Sequence, residues 1–105
     1  MTKYLLAYHG GSMPESKEEG EKVMAAWTSW VGAMGKSLTD IGNPTTGNSK
    51  TMAPGGKVSN GGSTTITGYS IIEAPSLDKA VDMVKGCPQL ASGGTIEVAE
   101  LSAAM

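Results

Sequence analysis

Two helix-period stripes, each set between short strand-like runs, constrain this 105-residue chain more than any other feature. Val23, Trp27, Trp30, Val31 and Met34 fall at i, i+4, i+7, i+8 and i+11 and so share one helix face. Ser12, with Glu15 three residues on and Pro14 between them, is the expected N-cap, and Gly35 the expected stop. Glu15, Glu18, Glu19 and Glu21 then sit where the helix dipole favours negative charge. A second stripe runs through Leu77, Ala80, Val81 and Val84, capped by Ser76 and ended by Gly86-Cys87-Pro88.

The segments around these helices read as strands. Residues 3–8, Lys-Tyr-Leu-Leu-Ala-Tyr, are apolar and aromatic, stop at Gly10-Gly11, and suit a strand buried on both faces. Residues 36–42 suggest a second, short strand and 69–74 a longer one. Residues 95–101 alternate, with Ile96 and Val98 on one face against Thr95, Glu97 and Ala99 on the other. Between Asn43 and Gly68 the chain is rich in Gly, Ser, Thr and Asn, so looseness is expected there, with an optional hairpin over 51–58 turning at Pro54-Gly55-Gly56.

The order strand, helix, strand, optional hairpin, strand, helix, strand matches the split βαβ plan: an α+β, ferredoxin-like fold in one domain spanning 1–105. Two short helices cover only one face of a four-stranded sheet. Tyr4, Leu6, Tyr8, Tyr69 and Ile71 are too apolar for both faces to be wet, so a second copy of the same sheet is the expected cover, as a homodimer or part of a higher oligomer.

Composition narrows the function classes. The net charge is −2 and all eight basic residues are lysine, so the bidentate fork that reads phosphates and base edges is missing, and nucleic acid is not an expected partner. One cysteine, Cys87, leaves no disulfide to form within the chain, and one histidine with scattered carboxylates has no metal-ligand spacing. Cys87 lacks an electropositive setting and reads as structural. The longest apolar runs are only a few residues, so no membrane span is expected, and a cytoplasmic, reducing home is the economical reading. No cofactor is called for, and the Gly-Gly pairs fit neither phosphate-binding fingerprint.

His9, just past the first strand, is the candidate for chemistry. In the split βαβ plan the first two strands run in the same direction, which carries Asp40 toward the same sheet edge. One strand lies between them, setting their backbones roughly 10 Å apart. A histidine oriented by a carboxylate makes a general base near neutral pH. The competing reading is a loop histidine whose ring bonds a nearby backbone group. Tyr8, Trp27 and Tyr69 are candidate ligand-lining residues, although Trp27 and Trp30 also fit as plain core.

Several stretches resemble YCII-related proteins, which include the group known for a DGPF motif. They are Gly68-Tyr69-Ser70-Ile71-Ile72-Glu73-Ala74, Ser76-Leu77-Asp78-Lys79-Ala80, Cys87-Pro88 and Gly93-Gly94-Thr95-Ile96-Glu97-Val98, with Leu38-Thr39-Asp40-Ile41-Gly42-Asn43-Pro44 and the Trp-bearing helix fitting as well. The resemblance implies a dimeric α/β-barrel of two ferredoxin-like protomers packed sheet to sheet, and a His–Asp pair as its chemistry. The DGPF segment itself is absent, with Ser59-Asn60-Gly61-Gly62-Ser63 in its place. Two functions are therefore open: an enzyme acting on a small organic molecule through His9 and Asp40, or a non-catalytic ligand-binding or dimerisation module.

Overall fold

The first strand decides the layering, because its side chains alternate between two very different environments. The computed structural model describes residues 1–62 and 65–102, so Ser63, at the end of the segment that replaces the DGPF motif, lies outside the described residues. Strand β1 (Thr2–His9) is followed by helix α1 (Lys17–Met34), a 3-10 turn (Gly35–Ser37) and strand β2 (Leu38–Asp40). Strands β3 (Lys50–Met52) and β4 (Val58–Asn60) come next, then β5 (Ile66–Ala74), helices α2 (Leu77–Met83) and α3 (Pro88–Ala91), and strand β6 (Thr95–Glu100).

Strands β2, β5, β1 and β6 pair in that order, antiparallel throughout, and β3 and β4 form a separate hairpin. With the hairpin set aside, this is the ferredoxin-like βαββαβ sheet that the sequence order predicts. Along β1, Tyr4, Leu6 and Tyr8 are buried, and they form one core with Ile72 and Ala74 of β5, Trp30 of α1, Ala80 and Val84 near α2, and Cys87. Trp27, Val31, Met34, Met83, Ile96 and Val98 pack around it. All three helices therefore lie on the even-numbered face of β1. The other face carries Leu5, Ala7 and His9, with Ile71 opposite Leu5 and Tyr69 opposite Ala7 on β5, and Ala99 opposite Leu5 on β6. No described helix covers it. The chain is 18 Å across in its thinnest direction, the depth of one sheet and one helix layer.

Several sequence expectations shift in detail. Helix α1 begins one turn later than expected: Ser16, not Ser12, is the N-cap, accepting from the Glu19 amide at 3.1 Å while Glu19 Oε2 accepts from the Glu15 amide. Ser12 is instead drawn to Ser92, to whose carbonyl its amide and hydroxyl both donate. In α2 the buried stripe is Ala80 with Met83 and Val84, and Leu77 and Val81 face outward, because a seven-residue helix presents too little surface to bury both edges. Pro88 does not merely stop α2. It opens the short helix α3, where a proline at the first turn lacks only an N–H that would be unsatisfied there anyway.

The optional hairpin is present. Ala53-Pro54-Gly55-Gly56 makes a tight turn closed by the Gly56 amide on the Ala53 carbonyl, with Gly55 at φ 92°, a conformation only glycine adopts readily. Every residue of β3 and β4 is exposed. The radius of gyration is 15.1 Å, where a 105-residue domain averages about 13 Å.

This division predicts how stability is distributed. Leu6 is fully buried, so Leu6→Ala should cost about 2–5 kcal/mol. Val58→Ala in the hairpin should stay within about 0.5 kcal/mol. Urea denaturation compares the two, and similar losses would mean the hairpin belongs to the cooperative core.

Candidate functional site

The alternation of β1 sends Tyr8 and His9 to opposite sides of the sheet, and this splits the residues that the sequence suggests might gather in one place. On the helix side, the Tyr8 ring meets Trp27 edge-on at 5.6 Å, and Trp27 meets Trp30 the same way at 5.8 Å. The Tyr8 ring also lies over Gly68, where an added Cβ would stand 3.3 Å from it. The Tyr8 hydroxyl donates to Ser70 Oγ at 2.7 Å, and the Ser70 hydroxyl donates in turn to the Ile41 carbonyl at 2.6 Å. Every polar atom in this buried chain therefore has a partner. Tyr69, one residue along from Ser70, stands on the other face and shares no space with Tyr8.

His9 occupies the uncovered face at the end of β1. Its side chain is only 16% exposed, and its Nε2 lies 3.4 Å from Glu97 Oε1. The two residues are diagonal neighbours across the β1–β6 pair, since Glu97 stands opposite Ala7 and Thr95 opposite His9. Glu97 itself is 70% exposed.

Asp40 is not the carboxylate beside His9 in the protomer. The expectation that one strand separates them is right, because β5 lies between β1 and β2. The register is what keeps them apart: Ile71 of β5 stands opposite both Asp40 and Leu5. Asp40 is thus level with Leu5, and His9 lies a further 13 Å or so along the strand at about 3.3 Å per residue, on top of the roughly 10 Å sideways. The segment after β2 runs on beside β5, with the Thr45 amide bonded to the Thr67 carbonyl and Pro44 bridged to Gly68, so these residues hold the level nearest His9. Asp40 Oδ1 accepts from the Gly42 amide at 2.8 Å and closes the turn out of β2. Gly42 is required in that turn: its φ is 74°, and an added Cβ would lie 1.7 Å from the Tyr69 carbonyl oxygen.

The strand end that carries His9 is clamped from behind. The buried Gln89 side chain on α3 donates from Nε2 to the His9 carbonyl at 3.1 Å and to the Gly10 carbonyl at 3.2 Å. An added Cβ at Gly94 would collide with this amide at 2.3 Å, so the glycine makes room for the clamp. Neither Gln89 nor Glu97 is singled out by the sequence reading. For Glu97 the signal was present, since it shares the outward face of β6, and His9 falls in the outward phase of β1.

A cleft of about 560 Å³ opens on the helix side, between α1 and the segment from Lys85 to Ala91. Among the described residues, no group of three His, Cys, Asp or Glu side chains is placed to hold a metal ion, and no helix is long and apolar enough to cross a membrane.

Fold and site together define a small ferredoxin-like α+β protein with a single histidine on its uncovered sheet face. The profile of the YCII-related domain matches residues 2–103, and the chain belongs to that family. Among solved structures it is similar to the 5-chloro-2-hydroxyhydroquinone dehydrochlorinase of Burkholderia phenoliruptrix AC1100, in complex with 2,5-dihydroxybenzoquinone. The two are 19% identical, the match covers 90% of each chain, and the TM-score is 0.50, a likeness of fold. No curated protein matches the chain in sequence.

Burial gives Tyr8 a testable signature. Desolvation outweighs the opposing hydrogen bond to Ser70 and pushes the Tyr8 hydroxyl up to about 12, and burial likewise raises the Cys87 thiol. A raised phenol means that the folded state holds its proton longer than the unfolded chain. The stability this contributes is complete below pH 10, the ordinary tyrosine value, and is lost as pH rises from there through about 12. Ultraviolet titration should therefore show a late tyrosine step, and Tyr8→Phe should diminish it.

Proposed function

We propose that this chain is a homodimeric enzyme acting on a small organic molecule, one domain spanning residues 1–105, with His9 as its acid–base group and Glu97 orienting the ring. The observation that carries this reading is the largely shielded His9 ring set 3.4 Å from a carboxylate, on an apolar sheet face that no described helix covers. A carboxylate beside an imidazole fixes its orientation and favours the imidazolium that forms when the ring takes a proton. The ring then withdraws a proton from a substrate carbon or hydroxyl and returns it later in the cycle. Asp40, committed to the Gly42 amide, supports the strand edge and does not touch the ring.

The substrate class follows from what surrounds His9. Leu5, Ala7, Tyr69, Ile71 and Ala99 make an apolar floor, with polar Thr95 and Glu97 at one end, suited to a small, partly hydroxylated and largely flat molecule. The solved neighbour is named for a chlorinated hydroxyhydroquinone and was found with a dihydroxybenzoquinone, which supports testing quinols and hydroxylated aromatics first. Covering this floor falls to a second copy, because one sheet face with this many apolar side chains is costly to leave wet.

A non-catalytic dimerisation or ligand-binding module is the second reading. It is favoured by the 70% exposure of Glu97, since a solvated carboxylate directs a ring weakly.

The assembly is tested by sedimentation. The wild type should run as a dimer at micromolar concentration, and Ile71→Lys should monomerise or unfold it, because a buried, unpaired ammonium costs several kcal/mol. A monomeric wild type removes the sheet-to-sheet dimer.

The chemistry is tested by His9→Asn. On a substrate found by screening quinols and hydroxylated aromatics, it should lose roughly 10²–10⁴-fold in rate, with the melting temperature almost unchanged. Glu97→Gln should lose less, as a residue acting through the ring. If His9→Asn leaves rate and ligand binding intact, the module reading takes over.

A further inference from the structure

The sheet by itself holds the end of β1 loosely. As β1 passes from Tyr8 to His9, its partner on β5 steps from Gly68 to Ile66, so Thr67 is skipped in the register. That is a β-bulge, two residues of one strand against one of the other, and it interrupts the ladder. Beyond His9 come two glycines at positive φ, Gly10 at 68° and Gly11 at 96°, where the chain has little stiffness of its own.

The Gln89 side chain fills this gap from the helix side. Its Nε2 reaches the His9 and Gly10 carbonyls and lies 3.5 Å from Thr67 Oγ1, on the residue that the register skips. Carbonyl oxygens only accept, so the amide has to turn its NH2 group toward them. The backbone of Gln89 is held as well, since the Ser92 hydroxyl donates to its carbonyl at 2.8 Å. Gly11 leaves room for that hydroxyl, where an added Cβ would stand 2.7 Å from Ser92 Oγ.

We infer that Gln89 is the positioning residue for His9. The inference rests on the acid–base role proposed for His9 and deepens it. The direction of a Cα–Cβ bond follows from the two backbone torsions that flank it, because the peptide units themselves are planar. Strand pairing sets the torsion before the His9 Cα. Pinning the His9 carbonyl, and the Gly10 carbonyl after it, sets the one that follows. The ring is thereby kept where its Nε2 stands 3.4 Å from Glu97 Oε1. Reacting groups have to be held to within about 0.5 Å and 10–20° of their working geometry, and Gln89 supplies that hold through the backbone.

His9 is the one histidine of the chain, so diethyl pyrocarbonate reports on it alone through the ultraviolet band of the acylated ring. The probe is applied to the intact protein well below its melting temperature. Gln89→Met keeps the side-chain length and removes both donors, and it should raise the acylation rate about fivefold or more as the ring leaves its shielded position. Gln89→Asn, one methylene too short to reach both carbonyls, should act in the same direction and serves if Gln89→Met folds poorly. Ile72→Ala, a cavity in the core far along the sheet from His9, should leave the rate within about twofold. The effects of Gln89→Met and Glu97→Gln on this rate should be non-additive, because a displaced ring no longer stands against the carboxylate. On a substrate turned over through His9, Gln89→Met should lower kcat about tenfold or more and move KM less than about twofold. An unchanged acylation rate in both Gln89 variants overturns the assignment. So does an equal rise in Ile72→Ala, additivity with Glu97→Gln, or a rise in KM at unchanged kcat. None of these outcomes touches the catalytic reading, which fails separately if His9→Asn leaves turnover intact.

Discussion

The pairing of β1 with β5 on one side and β6 on the other is the constraint on which the rest depends. β1 is the central strand, and its strict alternation assigns every neighbouring residue to a face. Tyr4, Leu6 and Tyr8 draw the helices to one side, and Leu5, Ala7 and His9 are left on the other. A slip of one residue would bury the histidine among the tryptophans and turn the tyrosines out. The buried pairing of Tyr8 with Ser70, and of Ser70 with the Ile41 carbonyl, penalises such a slip, because unpaired hydroxyls in that core are costly.

The irregular features of the fold converge on the strand end that carries His9. The β1–β5 register shifts between Tyr8 and His9, Gln89 grips the His9 and Gly10 carbonyls from behind, and Ser92 holds the loop that follows through Ser12. A buried polar side chain that satisfies two carbonyls is a rigid connection. It belongs to α3, an element so short that its stability must come from these contacts and not from helix propensity. The proposed site thus stands on one of the better-held parts of the molecule, while the β3–β4 hairpin, exposed throughout, is tied in the least.

The two faces of the sheet carry different groups: a packed aromatic core on the helix side and His9 with Glu97 on the other. The uncovered face joins an apolar floor to a histidine and a carboxylate, groups that accept and return protons. The four-stranded sheet separates the uncovered face from the helix side, where the aromatic row from Trp30 to Tyr8 packs.

Element order was legible in the sequence because it depends on local periodicity and punctuation: the Trp27, Trp30, Met34 stripe, the glycine and proline stops, and the 95–101 alternation all report on neighbours within a few residues. The fold class followed, since two helices and four strands in that order have few compact solutions. The hairpin turn at Pro54-Gly55-Gly56 was readable for the same local reason. Which carboxylate meets His9 was not. Asp40 was the natural choice from strand direction alone, but strand direction says nothing of register, and register set Asp40 level with Leu5 and Glu97 diagonal to His9. The separation of Tyr8 from Tyr69 and the clamp by Gln89 across some eighty residues of chain were likewise decided by tertiary structure. They depend on where distant segments come to rest against one another, and that is fixed by packing and hydrogen-bond satisfaction over the whole domain, not by the local run of residues.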